Sequence, residues 1–344
     1  MGFPWGLLGR DMAVDLGTAN TLVYVRRKGV VLDEPSVVAI NLHTDRIVAV
    51  GTAAKEMIGR TPPHIATLRP LKDGVIADLD AAERMLRHFI QVAHKNRYLA
   101  KPRIVVAVPS GTTSVEQRAV REAAYEAGAR RVHIIEEPMA AAIGAGLNVG
   151  DTTGNMVVDI GGGTTEVAIV SLGGVVVSKS VRVGGDELDE AIVNYVKKEY
   201  SLMLGERTAE HIKIKMGSAL PGGDDDTSMP VRGRDLVTGL PKTATINRAQ
   251  VRDAIEDQVQ TIVDAVQSTL DQCPAELAGD LIDNGIVLTG GGALLDGLAD
   301  RLGEAVGMPI NLVDQPLQSV VLGAGRCVER FDEMQDVFVP ETRR

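Results

Sequence analysis

The chain has 344 residues, 44% of them hydrophobic and only 3% aromatic, which predicts two or more domain-sized units with aliphatic cores of the α/β kind. The formal net charge of -10 excludes a general nucleic-acid binder, because binding to phosphates requires clustered Lys and Arg. The two cysteines, Cys273 and Cys327, form no CxxC pair, which indicates neither a disulfide scaffold nor a zinc site and fits a reducing cytoplasm.

Strand and helix signals alternate along the first half of the chain. Aliphatic runs predict strands at 12–14, 22–25, 37–40, 47–50, 104–108 and 132–135. Helical spacing of apolar residues and local capping patterns predict helices at 79–93, 114–127 and 139–145. The pattern of Ser114 and Gln117 is that of a capping box, Gly128 ends the same helix, and Pro138 suits the first position of the next.

The second half repeats this order. It begins with strands at 156–159 and 167–170, followed by a turn at Gly184 and Gly185. Helices are predicted at 186–200, 208–218, 248–272, from about 293, and at 322–331, and a strand at 285–289. Residues 221–228 are expected to form a solvated hairpin tip in a small subdomain, and the charged tail after Asp332 is expected to fray.

An internal repeat links the two halves. The segment MAVDLGTANTLV at 12–23 reappears as MVVDIGGGTTEV at 156–167, an offset of 144 residues. Each copy predicts a β-hairpin with a small-residue tip led by an aspartate. Unless the match is a chance similarity of Val-, Asp- and Gly-rich text, a duplicated hairpin predicts two similar halves that face each other.

The two tips carry groups that bind phosphate. Gly17, Gly161, Gly162 and Gly163 let backbone N–H groups approach an anion closely, and hydroxyl donors are added by Thr18, Thr21, Thr164 and Thr165. Two facing tips would grip a polyphosphate from both sides, whereas either tip alone could be an ordinary glycine-rich turn. The sequence has no GxxxxGK[ST] motif, so this is not a Walker loop.

A cation is implied at the same place. Asp15 and Asp159 each end a strand directly before a tip. A carboxylate beside phosphates is repelled unless a cation lies between them, which predicts Mg²⁺.

A third glycine cluster follows a late strand. Its predicted binding residues are Thr289, Gly290, Gly291, Gly292 and Leu294. If a helix begins there, its N-terminal amides could hold an adenosine or its α-phosphate, although strand–glycine–helix turns are common in α/β proteins.

Together these motifs resemble the superfamily of actin, Hsp70 and sugar kinases. Within it, the segments DLGTANT, EPSVVAI, IEEPMAAAIG, VLTGGGALL, VRGRD and QCPAEL resemble the MreB family over residues 11–330. The resemblance implies an actin-like ATPase fold with two duplicated, RNase H-like lobes, each with a small inserted subdomain, and a nucleotide cleft between them. The implied divisions are 11–34, 69–150 and 320–335 for the core of lobe I (IA), 35–68 for its insertion (IB), 151–187 and 254–319 for the core of lobe II (IIA), and 188–253 for its insertion (IIB).

The resemblance also implies residue roles. Glu137 matches the residue that orients the attacking water, although a carboxylate at a helix N-terminus is also expected for helix stability alone. Glu210 and Lys213 match a pair that brackets ribose and adenine, whereas their spacing alone predicts a surface ion pair. The remaining residues of the implied nucleotide site are Asp15, Ala19, Asn20, Asp159, Gly185 and Asp186.

Two segments depart from the family pattern. Ser110 stands where MreB proteins often carry Cys, and LGAG at 322–325 replaces a segment richer in Gly and Arg. Both lie outside the predicted phosphate loops, so nucleotide binding is expected to be intact while filament behaviour is altered.

Function follows from the resemblance as an expectation. It implies slow ATP hydrolysis that controls filaments of this protein with itself, on the inner face of the cell membrane, where they direct cell-wall elongation with the wall-synthesis machinery. The sequence has no run of about eighteen apolar residues that would predict a membrane-spanning helix, and residues 1–10 lack the features of a secretory signal. Peripheral membrane contact is instead expected through Phe3, Trp5, Leu7, Leu8, Tyr98 and Leu99.

Three other functions of the superfamily are weighed against this one. A sugar or acid kinase would need a second-substrate pocket. An Hsp70-type chaperone would need a peptide-binding domain, for which the sequence after the last predicted helix leaves no room. A scaffold that binds nucleotide without turnover is disfavoured by Glu137.

Overall fold

The computed structural model describes residues 10–94 and 101–340. The predicted membrane residues Phe3, Trp5, Leu7, Leu8, Tyr98 and Leu99 therefore lie outside the described residues. The strands are β1 Met12–Leu16, β2 Asn20–Val25, β3 Gly29–Pro35, β4 Val38–Asn41, β5 Arg46–Val50, β6 Ile65–Leu68, β7 Leu71–Lys72, β8 Val75–Ile76, β9 Arg103–Val108, β10 Arg131–Glu136, β11 Asn155–Ile160, β12 Thr165–Ser171, β13 Gly174–Val181, β14 Leu202–Met203, β15 Ser228–Asp235, β16 Pro241–Asn247, β17 Ile286–Thr289 and β18 Ile310–Leu312. The helices are α1 Thr52–Met57, α2 Leu79–Ala93, α3 Ser114–Glu126, α4 Glu137–Gly144, α5 Gly185–Tyr200, α6 Glu206–Met216, α7 Arg248–Leu270, α8 Ala275–Asn284, α9 Leu298–Val306 and α10 Ser319–Glu329. None of the helices in these ranges is long and apolar enough to cross a membrane.

Two five-stranded sheets have equivalent strand orders when the second is read from β18 to β13. In the first, β10-β9-β1-β2-β3, strand β1 pairs antiparallel with β2 and parallel with β9. In the second, β13-β12-β11-β17-β18, strand β11 pairs antiparallel with β12 and parallel with β17. The repeat in the sequence is therefore the central hairpin of each sheet, which confirms the predicted duplication and the α/β fold with two lobes.

Three aliphatic cores hold these sheets and helices together. One covers the first sheet under α2 and α3, and another covers the second sheet under α5 and α7. The third surrounds α4 and α10 and includes Ala13 from the first central hairpin and Val157 from the second. Helices α4 and α10 therefore pack between the two lobes.

The contact between α4 and α10 requires glycine on both helices. A Cβ atom on Gly323 would overlap the carbonyl oxygen of Ala140, and one on Gly144 would overlap that of Ser319. Gly323 belongs to the segment at 322–325 that departs from the family pattern. The two backbones thus approach each other more closely than any side chain would allow.

Two small sheets are inserted into this framework. The sheet β5-β4-β6 follows β3 and carries α1, and the sheet β14-β15-β16 lies between α5 and α7 beside α6. They place α1 and α6 at the mouth of the cleft described below, where Lys55 of α1 meets Glu210 of α6.

Helices α6 and α10 begin two and three residues earlier than predicted, at Glu206 and Ser319. Two predicted signals at helix starts are displaced as well. The capping box of α3 uses Thr113 and Glu116 rather than Ser114 and Gln117, because the Thr113 side chain accepts the N–H of Glu116 while the Glu116 carboxylate accepts the N–H of Thr113. Helix α4 begins at Glu137, so Pro138 is its second residue. Both errors are shifts of one residue, the usual uncertainty at helix ends.

Other predictions in the second lobe were wrong. Residues 221–228 are not a hairpin tip but the connection into β15, and Asp225 in this loop is paired with Arg252 of α7. The cluster after β17 opens only a short 3-10 turn, Gly291–Leu294, before α9 starts at Leu298. Helix α8 was not predicted at all.

The chain after Asp332 also differs from the prediction up to residue 340. Phe338 stacks on Phe331, and the N–H of Val339 donates to the carbonyl of Ile134 on β10. These contacts hold the described part of the tail against the edge of the first sheet, so it is not frayed.

Candidate functional site

The two aspartate-led turns contact each other. A Cβ atom on Gly162 would lie 2.6 Å from the Cβ of Ala19, and one on Gly163 would lie 3.0 Å from Oγ1 of Thr18. Thr18 also accepts a hydrogen bond from the N–H of Gly74 at 3.0 Å, which fixes its side chain. The absence of side chains at 162 and 163 is thus what lets the second turn reach the first.

Beside these turns lies a cavity of about 580 Å³. Its wall contains most of the residues that the sequence assigned to nucleotide, namely Asp15, Gly17, Thr18, Ala19, Asn20, Glu137, Asp159, Gly161, Gly162, Gly163, Thr164, Gly185, Asp186, Glu210, Lys213, Gly290, Gly291, Gly292 and Leu294. Residues from six separate segments of the sequence therefore meet around one space of the size of a small-molecule site.

Three predicted threonines do not reach this cavity. Thr21 is buried and hydrogen-bonded to Ser36 at 2.9 Å, and Thr165 donates to the carbonyl of Val183 at 2.7 Å. Thr289 donates to the hydroxyl of Ser319 at 2.7 Å. All three are fully buried and are not part of the cavity wall, and their contact with a ligand remains a prediction.

The carboxylates of the cavity repel one another. Burial, with the charge of Asp33 added, raises the pKa of Asp15 to about 7. Burial, with Asp15 and Glu166 added, raises the pKa of Asp159 to about 8. The pKa of Glu137 is raised well above its ordinary value, first by burial and then by Asp15, Glu166 and Asp159.

The donor set suits a hard divalent cation that is shared with a ligand. Eight carboxylates line the cavity against four cationic side chains, Lys55, Lys213, Lys215 and Arg248. No group of three or more His, Cys, Asp and Glu within residues 10–94 and 101–340 could hold a metal by itself. Mg²⁺ fits such a site, because it typically binds one or two carboxylates and completes its coordination shell with phosphate oxygens and water.

Glu210 and Lys213 line the cavity but do not pair with each other. The Lys213 ammonium donates to the carbonyl of Gly185 at 2.6 Å and lies 3.0 Å from the carboxylate of Asp189. Glu210 is instead bound at 2.8 Å by Lys55. The surface ion pair suggested by their spacing is therefore absent, and both side chains are fixed by residues from other elements.

The third glycine cluster closes the cavity on one side. Gly290 has a φ of 85°, and a Cβ atom there would overlap Asp159 and the carbonyl of Ile160. Apolar side chains continue this wall: Leu294, Ile214 and Leu317 line the cavity and are each more than half exposed. A flat apolar ligand group placed between them would cover this surface.

Several lining residues were not predicted. Ile214 is exposed on an amphipathic helix next to Lys213, which is a weak local signal that it contacts something else. Lys55 and Leu317 carry no signal, because their positions depend on how distant elements pack. Glu166 and Ser110, which lie behind the cavity and hydrogen-bond to each other, were also missed as a pair.

Two sheets with equivalent strand orders, each carrying an aspartate-led, glycine-containing turn at a common cavity, define a protein of the actin-like ATPase fold. The crystal structure of MreB5 of Spiroplasma citri bound to ADP matches with a TM-score of 0.89 and 38% identity over 94% of this chain and 98% of that one. MreB5 bound to AMPPNP matches with the same TM-score at 39% identity, covering 94% and 97% of the two chains. The MamK double helical filament, at 22% identity and a TM-score of 0.78 over 93% and 99% of the chains, shows the same fold.

The chain belongs to the MreB/Mbl family, whose model matches residues 9–336. It is 53% identical over 334 residues to the cell shape-determining protein MreB of Escherichia coli K12, covering 95% of each chain. It is 46% identical over 328 residues to the cell shape-determining protein Mbl of Bacillus subtilis 168, covering 95% of this chain and 98% of that one. These matches support the cytoskeletal shape function and do not favour the sugar-kinase or Hsp70-type alternatives.

Proposed function

We propose that this protein binds ATP with Mg²⁺ in the cleft, hydrolyses it slowly, and thereby controls the stability of filaments that determine cell shape. The observation that carries the proposal is the contact between two aspartate-led turns beside one cavity. Relatives with 46–53% identity are cell shape-determining proteins, and MreB5 of Spiroplasma citri binds ADP and AMPPNP in crystals. A competition experiment between ATP and GTP would reveal whether the cleft prefers GTP instead.

The phosphates would lie between the two turns. Residues 17–20 and 161–164 line the cavity, so backbone N–H groups of the two turns and the hydroxyls of Thr18 and Thr164 would donate to the phosphates. Gly185, Asp186 and the adjacent Lys213 would hold the ribose side with Glu210. The adenine would cover the apolar wall beside Gly290, Gly291, Gly292 and Leu294.

Asp15 and Asp159 would hold Mg²⁺, through water. When bound, this ion supplies positive charge to the phosphates and to the repelling carboxylates. Glu137 starts α4 on the same wall, so its side chain can accept a hydrogen bond from a water in front of the γ-phosphate. Positioning of this kind is most of what phosphoryl transfer requires from a protein.

We also propose the division into subdomains given by the family pattern. Lobe I has its core at 11–34, 69–150 and 320–335 and its insertion at 35–68, which is consistent with the separate sheet of β4, β5 and β6. Lobe II has its core at 151–187 and 254–319 and its insertion at 188–253, consistent with the sheet of β14, β15 and β16.

The filaments would be homopolymers on the cytoplasmic face of the cell membrane, acting with the cell-wall elongation machinery and without nucleic acid. A head-to-tail contact between copies is heterologous and does not close, as a polymer requires. The proposed membrane contacts are the segment 1–10 and the residues Tyr98 and Leu99, which would bury apolar side chains among lipid headgroups.

Sedimentation with anionic vesicles tests the whole proposal. Wild-type protein should pellet most strongly with ATP, Mg²⁺ and vesicles together, and Asp159→Ala should lose the ATP dependence because the cation site is gone. Asp257→Ala, an exposed aspartate on α7, is the matched control and should behave as wild type. Equal pelleting without nucleotide, without lipid and in Asp159→Ala would contradict the proposal.

Glu137 has its own test. Glu137→Ala should bind a fluorescent ATP analogue as tightly as wild type but release phosphate at least about a hundredfold more slowly, because the water is no longer oriented. Unchanged phosphate release would remove Glu137 from the mechanism.

A further inference from the structure

Glu166 is a fully buried carboxylate that the proposed mechanism does not use. It lies on β12, directly opposite Asp159 of β11 in the register of the hairpin, and has 0% exposure. It does not line the cavity, yet after burial its charge is among the causes that raise the pKa of Asp159 and of Glu137. Glu166 therefore lies directly behind the groups that face the phosphates.

Both carboxylate oxygens of Glu166 are bound by serines, but from different lobes. Oε2 accepts the N–H of Ser110 at 3.0 Å and also the Ser110 hydroxyl. Oε1 accepts the hydroxyl of Ser180. Ser110 follows β9 in the first sheet, whereas Ser180 lies on β13, next to β12 in the second sheet.

The Ser110 contact is thus a hydrogen bond between the two lobes, behind the cavity. Hydrogen bonds to a charged, buried carboxylate are strong and directional, and they are lost when donor and acceptor separate by about 1 Å. A relative movement of the two sheets by that distance would leave Oε2 without its two donors. Ser180 would move with Glu166, because both belong to the same sheet.

The structure assigns to Glu166 a role as a positioning residue that makes hydrolysis depend on cleft closure. With the cleft closed, Ser110 fixes the Glu166 carboxylate behind Asp159 and Glu137, in the arrangement that orients the attacking water. With the cleft open, Glu166 would lose both donors of Ser110, and only Ser180 would still bind its carboxylate. This role rests on the proposed ATPase function of the cleft.

Two serine variants separate the inter-lobe contact from the carboxylate itself. Ser110→Ala removes a hydroxyl that donates to Glu166 from the opposite lobe. Ser180→Ala removes a hydroxyl that donates to Glu166 from its own lobe. Ser110→Cys keeps a weak donor at the first position and serves as the conservative variant. Glu166→Gln keeps the shape and removes the charge.

The measurements are the Kd of a fluorescent ATP analogue, single-turnover phosphate release, and ATP-induced protection of peptides covering 17–20 and 161–164 from hydrogen exchange. We expect Ser110→Ala to bind nucleotide within about threefold of wild type, to release phosphate about tenfold more slowly, and to lose most of the ATP-induced protection. Ser180→Ala should stay within about threefold in release and keep the protection, because Ser180 is exposed and water can replace its hydroxyl. Ser110→Cys should recover part of the rate, and Glu166→Gln should release phosphate as slowly as Ser110→Ala or more slowly.

Equal slowing of phosphate release in Ser110→Ala and Ser180→Ala, with ATP-induced protection retained in both, would overturn this role. A purely structural hydrogen bond to Glu166 would have the same effect whichever lobe the donor belongs to. Wild-type release in Ser110→Ala and Glu166→Gln would also overturn it. Those results leave the ATPase proposal standing if wild type hydrolyses ATP and Asp159→Ala does not. If wild type itself neither binds nor hydrolyses ATP, the proposed function fails instead.

Discussion

Replacing Asp159 with asparagine should stabilise the ligand-free protein at alkaline pH and abolish its stabilisation by ATP and Mg²⁺. Asp159 is only 6% exposed, and burial with the nearby charges of Asp15 and Glu166 raises its pKa from 3.8 to about 8. The folded protein therefore holds this proton more tightly than the unfolded chain does. The carboxyl group costs no stability below about pH 4, and its cost grows as the pH rises from there to about 8.

The magnitude follows from this pKa. A tenfold change in proton affinity corresponds to about 1.4 kcal/mol, so a rise from 3.8 to about 8 sets an upper limit of about 6 kcal/mol for the cost of the ionised carboxylate. Local relaxation and water entry in the folded state reduce this cost. We expect the Asp159→Asn protein to gain about 2 kcal/mol at about pH 8.5, which is roughly 3 °C in melting temperature for a chain of 344 residues.

Thermal unfolding at about pH 5 and about pH 8.5, with and without ATP and Mg²⁺, measures both effects. Wild type should melt earlier than Asp159→Asn at the higher pH, the gap should shrink at the lower pH, and only wild type should respond to ligand. Asp257→Asn, on the exposed face of α7, controls for the loss of one negative charge. A melting temperature of Asp159→Asn at or below that of wild type at about pH 8.5 would refute the reasoning.

Three further predictions concern packing and access. Gly162→Ala should weaken binding of an ATP analogue at least about tenfold in a fluorescence titration, since its Cβ collides with the opposite turn, whereas Gly150→Ala, with open space around it, should not. Gly323→Ala should lower the free energy of unfolding in urea by about 2–4 kcal/mol because α4 and α10 must separate, and Gly279→Ala on α8 should leave it nearly unchanged. Lys55→Met should speed nucleotide release several-fold in a stopped-flow chase by removing an ion pair across the cleft mouth, and an unchanged rate would contradict a role for that pair.

The fold could be predicted from the sequence because its signals are local. The aliphatic runs of the hairpins are buried on both faces of their strands, and such strands read as continuous apolar segments. The repeat at an offset of 144 residues then indicated two equivalent sheets. Helix α8 was missed although Leu277, Ala278, Leu281 and Ile282 recur at helical spacing; it is only 10 residues long, and Leu281 is its one buried residue.

Apart from the family resemblance, which supplied Glu137, Glu210 and Lys213, the site could be predicted only where a side chain and the turn it serves lie in one segment. Asp15 and Asp159 are each the second-to-last residue of a strand that leads into a turn, and both line the cavity. Thr21 and Thr165 looked equivalent to their neighbours, but a run of small polar residues does not reveal where the turn ends and the return strand begins. One residue further along a strand reverses the side of the sheet on which a side chain lies, so these threonines point inward.

What local signals could not supply is the contribution of the opposite lobe, and that contribution decides how the cleft works. Free of ligand, the cavity confronts eight carboxylates with four cations, so its own walls repel one another. A ligand that binds only the folded, closed form stabilises it by about 2.7 kcal/mol at a hundredfold excess over its Kd, comparable with the expected cost of the Asp159 charge. If the proposed ATP and Mg²⁺ bind the closed form, their binding would favour closure and would be expected to move Glu137, which starts the helix that packs between the lobes. Because α4 contacts β9 and β10 of the first sheet and β11 and β12 of the second, we expect the position of Glu137 to be coupled to the relative position of the lobes. A filament contact that prefers one lobe arrangement would then shift the affinity for ATP by the same free energy by which ATP shifts that contact.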